Sequence, residues 1–372
     1  MNWKGKITIL AVAAMFAGGL LFNMNVSKAQ QSTPETGAEP TPPPIVTQTP
    51  PPIIENEDDP IIIETEVVNV LFTAQDKNRR LLTDLKENDV RILEDGEVQP
   101  VTAFYRQIDL PLSLAILIDT SQSQERTLPE EKEAAKSFLE SVVRPSKDEV
   151  SVISFTGDAT LEQGMTSNIA RLRRAIDRVE FIPPSGYIGG GVITNGGRVP
   201  GTPPISGKNQ MTQGSTAIWD AIWVTSEEIL GPAPERTRRA IILLTDGVNT
   251  YGTKRLDDAV QAALKSEAVI YSVGIGDNFY QGVDETALKK LSERTGGRAF
   301  FPRDERELRE AFKLIQEEMR SQYLIAYEPT NLKRDGSYRK IEIQLANPEL
   351  AKQKVILTHR QGYFSKTEQD KK

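Results

Sequence analysis

Five side chains that carry oxygen lie where strand-like segments of the sequence end or where helical patterns begin. They are Asp119, Ser121, Ser123, Thr216 and Asp246. The first three form the pattern D-x-S-x-S directly after the apolar segment 112–118, and the last one follows the apolar segment 240–244. Open α/β sheets bind ligands outside the carboxyl ends of their strands, so these residues are candidates for a single site.

The types of these side chains suit a divalent cation. Mg²⁺ takes about six oxygen ligands, keeps some of them as water, and is commonly held by one or two carboxylates. Two carboxylates and three hydroxyls just neutralise such an ion and leave a coordination position free for a carboxylate from another molecule. The alternative is that Asp and Ser in D-x-S-x-S serve only as turn and helix-capping residues. All three segments together, in this order, favour the metal site.

These residues resemble the metal-ion-dependent adhesion site (MIDAS) of von Willebrand factor type A (VWA) domains, and they match it at all five positions. The resemblance extends over about residues 111–321 and includes the segments 271–276 and 291–297. Gln122 stands where Gly is frequent and Gln124 where Met is frequent, but neither is a ligand position. The resemblance implies a bound Mg²⁺, or Mn²⁺ or Ca²⁺, and a protein partner that offers a Glu or Asp carboxylate.

Strand-like and helix-like segments alternate between residues 111 and 321. Continuous apolar strands between amphipathic helices indicate a parallel sheet that is covered on both faces. We therefore predict an α/β fold with a doubly wound, mostly parallel central sheet. The predicted strands are 112–119, 150–155, 159–165 at an edge, 240–244, 269–275 and 298–301. The predicted helices are 129–143, 169–179, 217–230, 256–266, 284–295 and 305–320.

Short β-strand patterns flank this α/β domain (111–321) on both sides, in residues 61–110 and 322–365. Asp-Gly pairs at 95–96 and 335–336 supply turns within them. Each flank is too small to form a core alone. We therefore predict one small β-sandwich made from both flanks, with the α/β domain inserted between them. The flanks resemble those of a family of exported bacterial VWFA-related proteins.

The start of the chain has the pattern of an export signal. Two lysines precede the apolar stretch 7–22, and small residues fit a cleavage site behind it. We predict a signal peptide at 1–29, a Pro-rich disordered linker at 30–60 and a disordered tail at 366–372. The protein would then be periplasmic or extracellular. The alternative is an uncleaved N-terminal membrane anchor, the one case in which membrane contact is expected.

Charge and composition exclude several classes of function. The net charge is −7 and cysteine is absent, so nucleic acid is not an expected partner and thiolate chemistry is not available. The segment 201–209 has the wrong spacing for a phosphate-binding loop and lacks Ser or Thr after Lys208, so nucleotide binding is not expected. The single histidine, His359, is expected to have a surface or strand role.

Residues 183–214 interrupt the alternation with many glycines and prolines. A segment this long without regular structure is either functional or mobile. Because it leads into Thr216, one interpretation is a loop that shapes the partner surface at the rim of the metal site. The other is a tolerated flexible insertion. Asp277 either approaches the same rim or serves as a turn residue.

We therefore predict an exported, metal-dependent protein-binding module and not an enzyme. The five MIDAS residues would hold the cation, and we assign no catalytic residues and no further cofactor-binding residues. One alternative is a scaffold of the cell envelope whose metal site is not essential. The other is a metal-assisted hydrolase, against which stands the lack of a candidate base beside the ligands.

Overall fold

The computed structural model describes residues 67–106, 109–181, 215–234, 236–276 and 282–367, and the strand placement of residues 187–188 and 192–193. These ranges belong to one compact unit, Ile63–Lys372. The predicted signal peptide and linker, most of the predicted tail, most of the 183–214 segment and Asp277 lie outside the described residues. No helix within the described ranges has the length and apolar character needed to cross a bilayer.

The strands are numbered here in chain order. They are β1 (Val68–Gln75), β2 (Val90–Glu94), β3 (Glu97–Gln99), β4 (Val101–Arg106), β5 (Leu112–Asp119), β6 (Glu149–Phe155), β7 (Ala159–Thr166), β8 (Tyr187–Ile188), β9 (Val192–Ile193), β10 (Arg238–Thr245), β11 (Ala268–Gly274), β12 (Ala299–Phe300), β13 (Tyr323–Tyr327), β14 (Tyr338–Leu345), β15 (Ile356–His359) and β16 (Gly362–Phe364). The α-helices are α1 (Leu128–Val142), α2 (Ile169–Arg178), α3 (Ile218–Val224), α4 (Leu256–Lys265), α5 (Glu285–Thr295), α6 (Glu305–Arg320) and α7 (Pro348–Lys352).

A six-stranded sheet in the spatial order β12-β11-β10-β5-β6-β7 forms the centre of the α/β domain. Neighbouring strands are parallel, except that β7 pairs antiparallel with β6 at one edge. Side chains from one face of the sheet pack with α1, α2 and α6, and those from the other face pack with α3, α4 and α5. The predicted doubly wound, mostly parallel sheet is confirmed.

The order of the strands reverses between β5 and β10. After β5 the chain forms β6 and β7 on one side of β5. It then crosses back and forms β10 on the other side of β5. Such a reversal opens a crevice at the carboxyl ends of the two central strands, where α/β proteins bind ligands. The register pairs Leu244 with Ile118, so the residues that directly follow these two positions lie side by side at the same edge of the sheet.

Polar residues at the ends of the helices fix where the helices begin and end. The side chains of Asn168, Asp284 and Asp304 cap α2, α5 and α6, because each accepts the backbone N–H three residues further on. Gly296 ends α5 in the left-handed conformation, with φ 87°. These signals explain why most predicted boundaries agree with the structure within one or two residues.

Two segments differ from the sequence-based expectation. The predicted helix 217–230 is α-helical only as far as Val224, and Thr225–Leu230 continues as a π-helix. The Gly231 N–H bonds to the Ser226 carbonyl at 2.8 Å, five residues earlier, and Pro232 follows directly. Within the 183–214 segment, where no regular structure is predicted, β8 and β9 pair antiparallel.

Two four-stranded antiparallel sheets form the sandwich, in the orders β15-β1-β13-β4 and β16-β14-β2-β3. Each sheet takes strands from both flanks of the α/β domain. Phe72 and Ile92 from the first flank pack in one apolar core with Tyr323, Ile325 and Ile343 from the second. The predicted β-sandwich made from both flanks is therefore confirmed.

Candidate metal centre

Asp119 is the last residue of β5, and its carboxyl is completely buried. Its Oδ1 accepts the backbone N–H of Ser121 at 2.9 Å. Its Oδ2 accepts the hydroxyl of Thr245, the last residue of β10, at 2.6 Å. Two neighbouring strand ends thus hold this carboxyl in one orientation, although it lies in an environment that disfavours charge.

A short 3-10 turn, Gln122–Gln124, arranges the two serines of the D-x-S-x-S pattern. Thr120 anchors the start of this turn, because its N–H and its hydroxyl both donate to the Phe155 carbonyl at the end of β6. The hydroxyls of Ser121 and Ser123 lie 3.1 Å apart and share a hydrogen bond. Both serine oxygens are therefore on the same side of the turn.

Asp246 directly follows β10, and its side chain is buried. Its Oδ1 accepts the backbone N–H of Val248 at 2.9 Å, and its carbonyl accepts the N–H of Asp284 at 2.8 Å. The side chains of Ser123 and Gln124 also hydrogen-bond with its carboxyl. The turn after β5 and the turn after β10 are thus joined through this carboxyl group.

Thr216 precedes α3 and is connected to the loop after β10 by its backbone. Its N–H donates to the Thr250 hydroxyl at 2.8 Å, and its carbonyl accepts the N–H groups of Thr250 and Tyr251. Asn249 in the same loop accepts the N–H of Ile218 at 2.8 Å and so caps the helix. Thr216 is 4% exposed, and its backbone is held close to the loop that begins at Asp246.

The structure therefore brings the five predicted residues to one edge of the sheet, where β5, β10 and α3 meet. Side-chain hydrogen bonds connect the serines with Asp246, whereas Thr216 is connected through its backbone. The sequence reading missed the supporting roles of Thr245, Gln124, Asn249 and Thr250. Their hydroxyl and amide side chains next to the predicted ligands were the available signal.

Burial raises the pKa of Asp119 to about 7, and the negative charge of Asp246 adds to this rise. Hydrogen bonds from Thr245 and Ser121 oppose it. Burial likewise raises the pKa of Asp246, and hydrogen bonding from Ser123 opposes that rise. Among the described residues, no Lys or Arg forms an ion pair with either carboxyl. Within the described part of the chain, the site thus holds two buried acids that no positive side chain neutralises.

The donor set fits a hard divalent cation. It consists of two carboxylates and three hydroxyls, all of them oxygen ligands of the kind that Mg²⁺, Mn²⁺ and Ca²⁺ prefer. The described part of the chain contains no cluster of three or more His, Cys, Asp and Glu suited to a metal, so a cation here would also need the hydroxyls. A dication would supply the positive charge that the two buried carboxyls lack.

Two models of the von Willebrand factor type A domain match the chain, one over residues 114–194 and the other over residues 205–314. The first range contains the D-x-S-x-S pattern, and the second contains Thr216 and Asp246. A comparison with curated proteins gives no match.

Several solved structures are similar to the chain at low identity. Proximal thread matrix protein 1 from the mussel byssus, in a structure with a zinc-occupied MIDAS motif, is 16% identical with a TM-score of 0.42, over 58% of this chain and 49% of that one. An aerotolerance-related membrane protein from Bacteroides fragilis is 18% identical with a TM-score of 0.40, over 56% and 98%. A von Willebrand factor type A protein from Catenulispora acidiphila is 15% identical with a TM-score of 0.43, over 82% and 75%. The chain spans about half the length of the mussel protein.

Proposed function

Because the chain belongs to the von Willebrand factor type A family, we propose that it is an exported module that binds an acidic group of a protein partner through a divalent cation. Domains of this family commonly mediate metal-dependent protein interaction, and they generally serve as interaction modules and not as enzymes.

Asp119, Ser121, Ser123, Thr216 and Asp246 would hold the cation, which we expect to be Mg²⁺, Mn²⁺ or Ca²⁺. The observation that carries this assignment is the continuous hydrogen bonding across two strand ends. It runs from Asp119 to the Ser121 backbone, between the two serine hydroxyls, and from Ser123 to Asp246. These groups are fixed by the fold before any ligand arrives, which lowers the entropic cost of binding one.

The same donor set favours a carboxylate as the partner group. Two carboxylates are enough to balance a dication, and hydroxyl ligands add no further negative charge. Such an ion retains affinity for an anionic oxygen, which a Glu or Asp of another protein supplies. The bound cation would then supply a positive charge at an otherwise acidic site, and this chain's own residues would fix its position.

Export and domain organisation complete the proposal. We infer a signal peptide over residues 1–29, from two lysines ahead of an apolar stretch, and a Pro-rich linker over residues 30–60. The VWA domain would occupy residues 111–321, with sandwich parts at 61–110 and 322–365. We expect the protein in the periplasm or outside the cell.

Calorimetric titration of Mg²⁺, Mn²⁺ and Ca²⁺ into the purified chain tests the cation site. The test variant is Asp119→Asn, which keeps the size of the side chain but removes its charge. The matched control is Asp84→Asn, which removes an exposed carboxylate from the sandwich. We expect binding of at least one cation by the wild type and the control, and loss of binding in Asp119→Asn.

A pull-down with an immobilised Glu- or Asp-containing peptide library then tests the partner chemistry, with and without chelator. Capture that depends on the cation and is lost in Asp119→Asn supports the proposal. Absence of heat with every cation, together with partner capture that is indifferent to chelator, would contradict it and favour an envelope scaffold.

A further inference from the structure

Glu131 is a buried acid that, among the described residues, no basic side chain neutralises. It lies in the first turn of α1 and is completely buried. Neither of its carboxyl oxygens meets a partner at normal hydrogen-bond geometry within the described structure, although the Thr127 hydroxyl lies near enough to influence its pKa. Leaving a buried polar group unpaired costs a protein about 1–3 kcal/mol. Such exceptions call for a role other than packing.

The position of Glu131 connects it to the candidate metal centre. Gln124, Thr127 and Glu131 are spaced by three and four residues, so they follow one face of the chain from the D-x-S-x-S turn into α1. The Thr127 hydroxyl donates to Gln124 Oε1 at 2.9 Å. The Gln124 amide donates to the Ile275 carbonyl at 3.0 Å, and its side chain also hydrogen-bonds with the carboxyl of Asp246.

Electrostatics make Glu131 a hydrogen-bond donor at neutral pH. Burial raises its pKa to about 8, the Thr127 side chain opposes this rise, and the charges of Asp119, Asp246 and Glu130 add to it. A protonated carboxyl has an O–H to donate. Thr127, one turn earlier, donates its own proton to Gln124, so its oxygen is free to accept that O–H.

Other charged groups pack against α1, but they act on other parts of the helix. From α2, Asp177 pairs with Lys136 and Arg173 pairs with Glu140. Lys132 points to the carbonyls of Asp177 and Val179. From α6, Gln316 and Arg320 both donate to the Ser141 carbonyl.

We propose that Glu131 is a positioning residue of the cation site, which acts through Thr127 and Gln124 on the carboxyl of Asp246. This inference rests on the proposed function. A donor at Glu131 orients the Thr127 hydroxyl towards Gln124, and the fixed amide of Gln124 then holds Asp246 in the geometry that the cation requires. The buried acid at Glu131 lowers the stability of the fold, but it keeps the Asp246 carboxyl in the orientation needed for binding the cation.

The proposal predicts opposite effects on stability and on cation binding, which a packing role does not. Glu131→Leu removes the unpaired acid and adds apolar volume, so its melting temperature in chelator should rise by about 2–4 °C. Its Kd for Mn²⁺, measured by calorimetry, should weaken about tenfold, because the hydrogen bond of the Gln124 amide to the charged Asp246 would no longer be held in place. Glu131→Gln keeps a donor, so its Kd should stay within about threefold of the wild type.

Thr127→Val interrupts the same connection at its middle residue and serves as a second variant where Glu131→Leu does not fold. It should weaken Mn²⁺ binding by a similar factor, and the double variant should bind no more weakly than either single one. The matched control is Glu133→Gln, which changes an exposed glutamate of the same helix and should leave the Kd unchanged.

The possible failures are distinguishable. If the wild type binds Mn²⁺ and Thr127→Val binds it equally well, the positioning role is wrong while the cation site stands. A Glu131→Leu variant that binds Mn²⁺ like the wild type leads to the same conclusion. Equal weakening in Glu131→Leu and Glu131→Gln, with lower melting temperatures in both, would assign Glu131 to packing. If the wild type binds no cation, the proposed function fails and this inference falls with it.

Discussion

The hydroxyl of Thr245 donates a 2.6 Å hydrogen bond to Oδ2 of Asp119 and so joins the last residues of the two central strands. The same Thr245 oxygen accepts the N–H of Gly247 at 3.2 Å, on the other side of Asp246. One side chain that is not a candidate ligand therefore fixes the orientation of one carboxylate and the backbone that carries the other.

We expect Thr245→Val to weaken cation binding about tenfold or more, because a hydrogen bond to a charged group contributes about 1.5–3 kcal/mol. The variant keeps the shape of the side chain but leaves Asp119 Oδ2 without its donor. Calorimetric titration of Mn²⁺ measures the change. Thr245→Ser retains the hydroxyl and is the control, which should bind nearly as well as the wild type. Equal affinities for wild type and Thr245→Val would show that the bond is not needed.

Cation affinity should fall as the pH is lowered through about 7. In the metal-free fold, burial and the charge of Asp246 raise the pKa of Asp119 to about 7, so below that pH a cation must displace a proton. Each displaced proton lowers the apparent affinity about tenfold per pH unit. Titrations at pH 8.0, 7.0 and 6.0, in buffers of different ionisation heat, would measure both the affinity and the protons released. A flat profile would contradict this prediction.

Gly296→Ala should loosen the contact between the α/β domain and the sandwich. Gly296 has φ +87°, and a Cβ there would lie 2.5 Å from the backbone nitrogen of Arg360, which follows β15. We expect a loss of about 1–3 kcal/mol in the free energy of unfolding, since the left-handed backbone and the collision both disfavour a side chain. Urea unfolding measures it. Gly164→Ala is the control, because its Cβ would meet nothing within 4 Å.

The sandwich should depend strongly on one buried ion pair. Arg339 donates to Glu94 Oε1 at 3.2 Å, and the hydroxyls of Tyr327 and Tyr363 donate to Glu94 Oε2. Glu94→Leu leaves the buried guanidinium without its carboxylate, so we expect a loss of about 3–5 kcal/mol in the free energy of unfolding. The exposed pair of Glu349 with Lys352 provides the contrast. Glu349→Leu should cost less than about 1 kcal/mol, and comparable losses in the two variants would contradict the prediction.

Local sequence patterns predicted the α/β domain well, because its strands are short apolar runs and its helices carry recognisable caps. The candidate ligands could be found for a related reason. Parallel strands bring their carboxyl ends to one edge of the sheet, so polar residues after Ile118 and Leu244 had to become neighbours. Predicting the β-sandwich required one further inference. Neither flank is large enough to form a core alone, so the two flanks had to pack together.

Pairings between distant residues could not be predicted in this way. Glu94 and Arg339 are 245 positions apart. From its sequence neighbours, each would be expected to be an exposed charged residue. Glu131 lies in a run of charged residues that suggests a solvent-exposed helix, and only the helix register turns it inward. The available signal was its spacing from Ala134, Ala135 and Phe138 on the buried face of α1.

The adjacent pairing of β4 and β13 has a mechanical consequence. The chain leaves the sandwich at the end of β4 and re-enters it at β13, and Arg106 and Tyr323 are direct partners in that sheet. A pulling force applied between β1 and β16 is therefore borne first by the ladders of the sandwich. Tension reaches the inserted domain only after β4 and β13 have separated, so the sandwich shields the geometry of the cation site from a load carried along the chain.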